Sequence, residues 1–361
     1  MVKVKNLYKE FDTERGGVKA VAGISFQVEE GEFFTLLGPS GCGKSTTLRC
    51  IAGLERPDSG EITVGEKTVF SSELHLFDPP NRRDIAMVFQ SYAIWPHMNV
   101  YSNVAYPLEG RMPKDIVRRQ VMEVLKMVGI EELFSRPAPQ LSGGQQQRVA
   151  VARAIVKGAK VLLFDEPLSN LDAKMRVHMR AELRSLQKRL GITFIYVTHD
   201  QEEAFSLSDR VAVMHEGRLV DLASPTTIYL KPNNYFTADF VGACNFLSGK
   251  ILHRNGDLVV VDTRIGKISC PLHEHTDSNV LVGIRPEHIE IINQCENPEK
   301  LQNIVQGIVV SATFLGSTID CTVKVGSETL KIIVLSFRLI NEGEKVYLHI
   351  PSHLCNLLPA E

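Results

Sequence analysis

Gly38-Pro39-Ser40-Gly41-Cys42-Gly43-Lys44-Ser45-Thr46 is the stretch on which the reading of this chain turns. It follows the apolar run Phe33-Phe34-Thr35-Leu36-Leu37 and precedes the helical pattern Leu48, Ile51, Ala52, so the local order is strand, glycine loop, helix. In that context the glycines let backbone N–H groups wrap a di- or triphosphate. Lys44 reaches the terminal phosphates and the Ser45 hydroxyl ligates magnesium. The helix N-terminus adds its own positive end. The rival dinucleotide fingerprint, with glycines at the first, third and sixth places, fails: counting from Gly41 puts Thr46 where the last glycine belongs.

Working outward, the 361 residues are enough for more than one hydrophobic core, and two domains are expected. A formal net charge of -2 gives no global attraction to nucleic acid or to an anionic membrane. No apolar run approaches the roughly 18 residues needed to span a bilayer, and Met1-Val2-Lys3-Val4-Lys5 lacks a signal-peptide core, so a cytosolic chain is expected. The seven cysteines include no Cys-x-x-Cys pair. They read as reduced, mostly buried thiols rather than a disulfide framework or a zinc site.

Upstream of the loop, Val2 to Phe11 alternates as a strand, and Tyr8 near its end either stacks on a nucleotide base or is a half-buried strand tyrosine. Downstream, Ile85 to Phe89 is a continuous apolar run, the pattern of a strand buried on both faces, ending at Gln90. Ligands gather at the C-terminal ends of such strands. Gln90 there ligates magnesium, orients a water or is an ordinary polar strand end. Ser91 to Tyr101 is dense in aromatics and holds the only tryptophan, Trp95. Docking to a partner and packing within the domain account for it equally well.

The periodicity of Ile116, Val117, Val121, Val124, Leu125 and Val128 predicts a helix stopped by Gly129. In Leu141-Ser142-Gly143-Gly144-Gln145, Ser142 is placed to cap a helix, and the two glycines expose backbone donors, which makes a second anion site. Val161 to Phe164 is another buried strand, terminating in Asp165-Glu166. Either one carboxylate holds the magnesium and the next polarises the attacking water, or both are plain loop residues after an apolar strand. The first reading is preferred because the metal demands an acid. Ser169-Asn170-Leu171-Asp172 is a turn leading into an amphipathic helix, Met175 to Leu190. Thr193 to Val197 is a third buried strand, and it brings His199 to the same edge as Gln90 and Asp165.

With these motifs in order, residues 1–240 resemble the nucleotide-binding subunit of an ATP-binding cassette (ABC) transporter. The resemblance implies an α/β P-loop NTPase fold with a helical subdomain near 91–158. It makes Gly38 to Thr46 the Walker A loop, Gln90 the Q-loop glutamine and Leu141 to Gln145 the signature motif. Asp165 becomes the Walker B acid, Glu166 the catalytic base, Ser169 to Asp172 the D-loop, His199 the switch histidine and Tyr8 the adenine-stacking aromatic. It also accounts for the second anion site, because in this family two copies pack head to tail. Each signature helix then faces an ATP whose γ-phosphate is held by the other copy's Lys44. The implied cofactors are ATP and Mg2+. The implied partners are a second copy, two membrane permease subunits and, indirectly, a solute-binding protein, with the chain on the inner face of the cell membrane.

Beyond about Val241 short alternating runs predict a β-rich domain over 241–361, with strands near Leu258 to Val261, Asn279 to Ile284, Ile304 to Ala312, Ile319 to Val325, Leu330 to Val334 and Val346 to Ile350. Val282 to Ile289 resembles the C-terminal transport-associated OB-like domain of importer ATPases, which implies a regulatory or dimerising role. His253, His273 and His275 are either metal ligands or solvent-exposed loop histidines, and the loop reading is preferred. A soluble ABC protein acting on nucleic acid or ribosomes is the alternative of a different class, but neither a second phosphate loop nor a sustained heptad is present, and no Asn-Lys-x-Asp run points to guanine. For the solute, Phe240 to Leu247 looks like the ion and polyamine type of importer, and Ser91 to Val100 looks like ferric-iron and phosphonate importers. Ferric iron is the expectation, with polyamine, phosphonate and sugar as alternatives.

Overall fold

The computed structural model describes residues 1–13, 16–272, 278–292, 302–338 and 340–360. It divides into two units, Met1–Pro225 and Thr226–Glu361.

The first unit is built on a six-stranded sheet in the spatial order Arg218–Ala223, Arg210–His215, Phe33–Leu37, Thr193–Thr198, Val161–Asp165, Ile85–Val88. Every neighbouring pair is parallel except the hairpin at the first edge. Phe33–Leu37, Val161–Asp165 and Thr193–Thr198 are buried at every position. Such strands need cover on both faces, and each large aliphatic or aromatic side chain they bury contributes about 1.5–3 kcal/mol. On one face lies the helix α1 (Lys44–Ala52), together with a five-stranded antiparallel sheet that includes Val2–Thr13 and Gly16–Val28; Leu36, Leu48, Ile51 and Leu163 share that core. Helices α4 (Gly143–Val156) and α5 (Ala173–Leu190) cover the other, with Val151, Phe164, Leu183 and Phe194 in one cluster. A separate cluster joins α2 (Val100–Ala105) and α3 (Lys114–Met127) to the remaining face of α4 through Val104, Val121, Leu125 and Val149. This is the expected helical subdomain.

The buried Arg83 ties the loop after the antiparallel sheet to α1, donating to the last carbonyls of that helix, Cys50 O at 2.8 Å and Ile51 O at 2.7 Å. Burial lowers its pKa to about 10, so the group stays charged at neutral pH while capping the helix C-terminus.

Among its described residues, the second unit holds two five-stranded antiparallel sheets around a common core that includes Val259, Ile284, Val323 and Leu348. The expected strands are present as Leu258–Thr263, Asn279–Ile284, Ile304–Phe314, Thr318–Val325, Glu328–Leu335 and Lys345–His349. The division between units falls earlier than the boundary expected at 240. Arg285, fully buried, donates to Ala238 O and Gly242 O at 2.7 Å and to Ala243 O at 3.1 Å. The segment around the helix Tyr235–Phe240 is thereby bonded into the β-rich unit. Of the candidate histidines in this unit, His253 is exposed on the strand Asn245–Asn255, and His273 and His275 lie outside the described residues.

Candidate active site

Phe33–Leu37 delivers the chain into the glycine loop, and α1 begins at Lys44. Gly43 is required twice over: its φ is 100°, which side chains rarely adopt, and a Cβ there would lie 2.0 Å from the Ala20 carbonyl oxygen. Gly38 has the same constraint of space, with Met214 O 2.3 Å from its would-be Cβ. Lys44 is only 4% exposed, and its Nζ donates to Gly38 O at 2.8 Å and Pro39 O at 2.9 Å. The ammonium is thus held over its own loop at the border of a recess of about 180 Å³ that Ser40, Gly41, Gly43, Ser45, Thr46 and Glu166 also line. Cys42 is buried beneath the loop, and burial pushes its thiol pKa up despite the neighbouring Lys44.

Glu166, just past the end of Val161–Asp165, borders this recess. Asp165 ends its strand, and its Oδ1 accepts a hydrogen bond from Ser45 Oγ at 2.6 Å. Arg49 Nη2 stands 3.6 Å from the other carboxylate oxygen. Glu166 has φ 46°, a left-handed conformation that costs about 1–2 kcal/mol for a residue with a Cβ. Its N–H donates to Val197 O at 3.0 Å, and its Oε2 lies 3.1 Å from His199 Nδ1. A strained residue held by the adjacent strand and aimed into a recess is the kind of backbone that marks functional sites. The contents of the recess fit a metal-bound triphosphate. A hydroxyl and a carboxylate meet as hard oxygen donors, the glycine backbone leaves space for phosphate oxygens, and one ammonium supplies counter-charge.

Gln90 is not drawn to the Ser45–Asp165 pair. Its Nε2 donates to Ser169 Oγ at 3.3 Å, and Asn170 Nδ2 donates to Gln90 O at 2.9 Å, so the glutamine is joined to the Ser169–Asp172 turn. Asp172 caps α5, its Oδ1 accepting from Met175 N at 2.9 Å. Tyr8, 46% exposed, lies on the antiparallel sheet with its ring over Gly23. Leu141, Ser142, Gly143, Gly144 and Gln145 contribute nothing to the Lys44 recess. Ser142 and Gln145 instead form a capping box, with Ser142 N donating to Gln145 Oε1 at 3.0 Å and Gln145 N to Ser142 Oγ at 3.4 Å. Gly143 packs on the turn, where a Cβ would meet Leu171 Cδ2 at 3.1 Å.

In the aromatic segment, Trp95 packs within the unit: its ring centroid lies 4.4 Å from that of Tyr106 and 4.6 Å below the Arg153 guanidinium. Trp95 and Arg153 also line a groove of about 400 Å³ with Leu54, Phe89 and Pro107. Both readings of this segment therefore have a physical basis.

Residues 21–169 match the ABC transporter family, and residues 282–358 match the TOBE domain family. The trehalose/maltose import ATP-binding protein MalK of Thermococcus litoralis is 44% identical over 96% of this chain and 94% of its own length. The chain belongs to the ATP-binding subunits of ABC importers. The spermidine/putrescine import ATP-binding protein PotA of Pseudomonas fluorescens is 40% identical over 99% of this chain and 98% of its own length. The solved dimeric structure of the bacterial ABC transporter cassette MJ0796 superposes with a TM-score of 0.54 at 31% identity, covering 62% of this chain and 99% of that one. The importer subunit is accordingly an ATPase with an ABC cassette followed by a β-rich TOBE domain. Among the described residues, no helix is long and apolar enough to cross a membrane. These relatives give no support to ferric iron as the solute.

Several contributors to the cassette's site were not read from sequence. Ala20 closes the loop from the strand Gly16–Val28, whose glycines and half-buried pattern hide its period. Arg49 reaches Asp165 one helical turn beyond Ser45. Asp200 caps α6 (Gln201–Leu207) by accepting from Glu203 N at 3.0 Å. Asp200-x-x-Glu203 is an acidic variant of the capping signature and was the available signal.

Proposed function

We propose that this subunit hydrolyses ATP with magnesium in a head-to-tail pair of copies and that the work drives uptake of a polyamine or sugar through a membrane permease. The observation that carries the reading is the joining of Ser45 to Asp165 at 2.6 Å beside Lys44, with Glu166 held against His199 at 3.1 Å. Ser45 and Asp165 would hold the magnesium, which supplies charge neutralisation at the β- and γ-phosphates. Lys44 and the Gly41 and Gly43 amides bind the triphosphate oxygens. Glu166 accepts the proton of the attacking water, and His199 orients the γ-phosphate and steadies the Glu166 carboxylate. Leu141 to Gln145 serve the second copy's nucleotide. In this reading residues 1–240 are the working cassette and Tyr8 stacks on adenine. Gln90 senses the nucleotide through its bond to the turn.

The groove beside Trp95 is the proposed seat of the permease. An amphipathic permease segment would lay its apolar face against Leu54, Phe89 and Trp95, with Arg153 at the rim. The names of the relatives favour trehalose, maltose, spermidine or putrescine as solute classes. Reconstitution of the full chain with its permease and binding protein in vesicles tests this: spermidine or maltose uptake is expected to require ATP, and uptake of neither would reject the assignment. Trp95→Ala is expected to lower uptake at least tenfold while ATP turnover of the free subunit stays within about twofold. Undiminished uptake would place docking elsewhere.

A further inference from the structure

Arg176, one turn into α5, bridges the Ser169–Asp172 turn and the segment that carries His199. Its Nη2 donates to Leu171 O, in the Ser169–Asp172 turn, at 3.2 Å. Its Nη1 donates to Asp200 Oδ2, next to His199, at 3.1 Å. Its Nε is buried and faces Glu203 Oε1 at 3.8 Å, an ion pair too long for a direct hydrogen bond. Beside it lies a polar cavity of about 40 Å³ bordered by Glu166, Ser169, His199 and Glu203, the size of one water and the partner such a nitrogen calls for.

The residues flanking His199 are tied into the same network. Thr198 Oγ1 and Tyr196 OH both donate to Glu203 Oε2 at 2.8 Å, and Asp200 N donates to Thr198 Oγ1 at 3.0 Å. Glu203 is 3% exposed, and burial raises its pKa. The His199 ring meets Glu166 at 3.1 Å, and its side chain is about half exposed. Its position therefore comes from the backbone on either side of it, which the Arg176–Asp200–Glu203 network holds.

We propose that Arg176 is a positioning residue for hydrolysis: its planar fork fixes the His199 backbone relative to the Ser169–Asp172 turn, and so sets the His199–Glu166 contact. This rests on the catalytic reading of His199 and Glu166 given above. Because Leu171 also touches Gly143, the guanidinium lies on the line from the signature helix to the switch histidine. A misplacement of about 1 Å at such a contact is enough to cost up to about 100-fold in rate.

The test is a double-mutant cycle on the full-length chain, with kcat and KM for ATP measured separately. Arg176→Gln is expected to lower kcat about 10- to 100-fold with KM within about twofold. Arg176→Lys is expected not to rescue it, because one ammonium cannot span both acceptors as the fork does. In a His199→Ala background the Arg176→Gln change is expected to alter kcat by less than about twofold, since its route is already cut. Asp200→Asn, which keeps a competent helix cap, is expected to reproduce the Arg176→Gln loss even where the arginine variant folds poorly. A full additional loss in the His199→Ala background, or an effect confined to KM, would overturn the positioning role. Wild-type turnover by His199→Ala alone would instead overturn the reading on which it rests.

Discussion

The two glycine-bearing helix starts of the cassette are built alike and finished differently. At Lys44 the helix opens onto a recess that other strands complete, with Asp165 on Ser45 and Glu166 overhead. At Ser142 the helix closes on itself through a capping box, and its glycines lean on Leu171 and Met175 of the same chain. Capping satisfies two of the backbone donors at the start of α4, yet Ser142 and Gly143 remain exposed. In the proposed reading, this helix start, which lies apart from the only phosphate loop in the sequence, serves a group outside this chain. In that reading the contrast is between a nucleotide seat and the lid proposed for another copy's seat.

The largest expected effect falls on the seat alone. Glu166→Gln keeps the shape and removes the base, so turnover is expected to fall about 10²–10⁴-fold with ATP binding retained. A variant with near-normal steady-state turnover would remove Glu166 from that role and blur the distinction between the two helix starts.

A smaller effect separates stability from function at the lid. Ser142→Ala loses the cap and is expected to cost about 1 kcal/mol of stability, read as a lower denaturant midpoint. Ser142→Asp keeps a cap and suits the helix dipole, so its midpoint stays close to wild type, yet its charge opposes a bound triphosphate and turnover is expected to fall at least tenfold. Equal turnover in wild type and Ser142→Asp would show that no phosphate reaches this helix.

The smallest effect concerns the buried carboxylate beneath the seat. Glu203 titrates above its ordinary value of 4.5, with burial as the main cause. The native state therefore binds its proton more tightly than the unfolded chain, and stability contributed at this site falls as pH rises from about 4.5 through the folded value. Glu203→Gln has no such loss, so its stability relative to wild type is expected to rise between pH 4.5 and 8 in thermal melts. A pH-independent difference would mean that the carboxyl is not perturbed by burial.

Much of the fold was legible because the central strands are buried on both faces and so read as unbroken apolar runs, each ending in a residue of the site. Val161 to Asp165 is the clearest case. The half-exposed strand Gly16–Val28 escaped because its burial does not alternate cleanly. The unit boundary escaped for a different reason. Nothing local announces that Arg285 bonds to carbonyls more than forty positions earlier. At the site, strand-end residues could be named from position, but Arg49, Arg176 and Glu203 act across helix turns and loops that only the packed structure juxtaposes. The bond of Gln90 to Ser169 was not anticipated from its place at a strand end.

The claim that the seat of one copy is closed by the lid of another is tested most directly by mixing two inactive variants. Lys44→Ala loses the seat and keeps the lid; Ser142→Asp loses the lid and keeps the seat. If the sites form between copies, a mixed pair holds one intact site, and a 1:1 mixture is expected to recover up to about a quarter of wild-type turnover although each variant alone is inactive. If each chain closes its own site, no intact site exists in any pairing, and a mixture as inactive as its components would contradict the account.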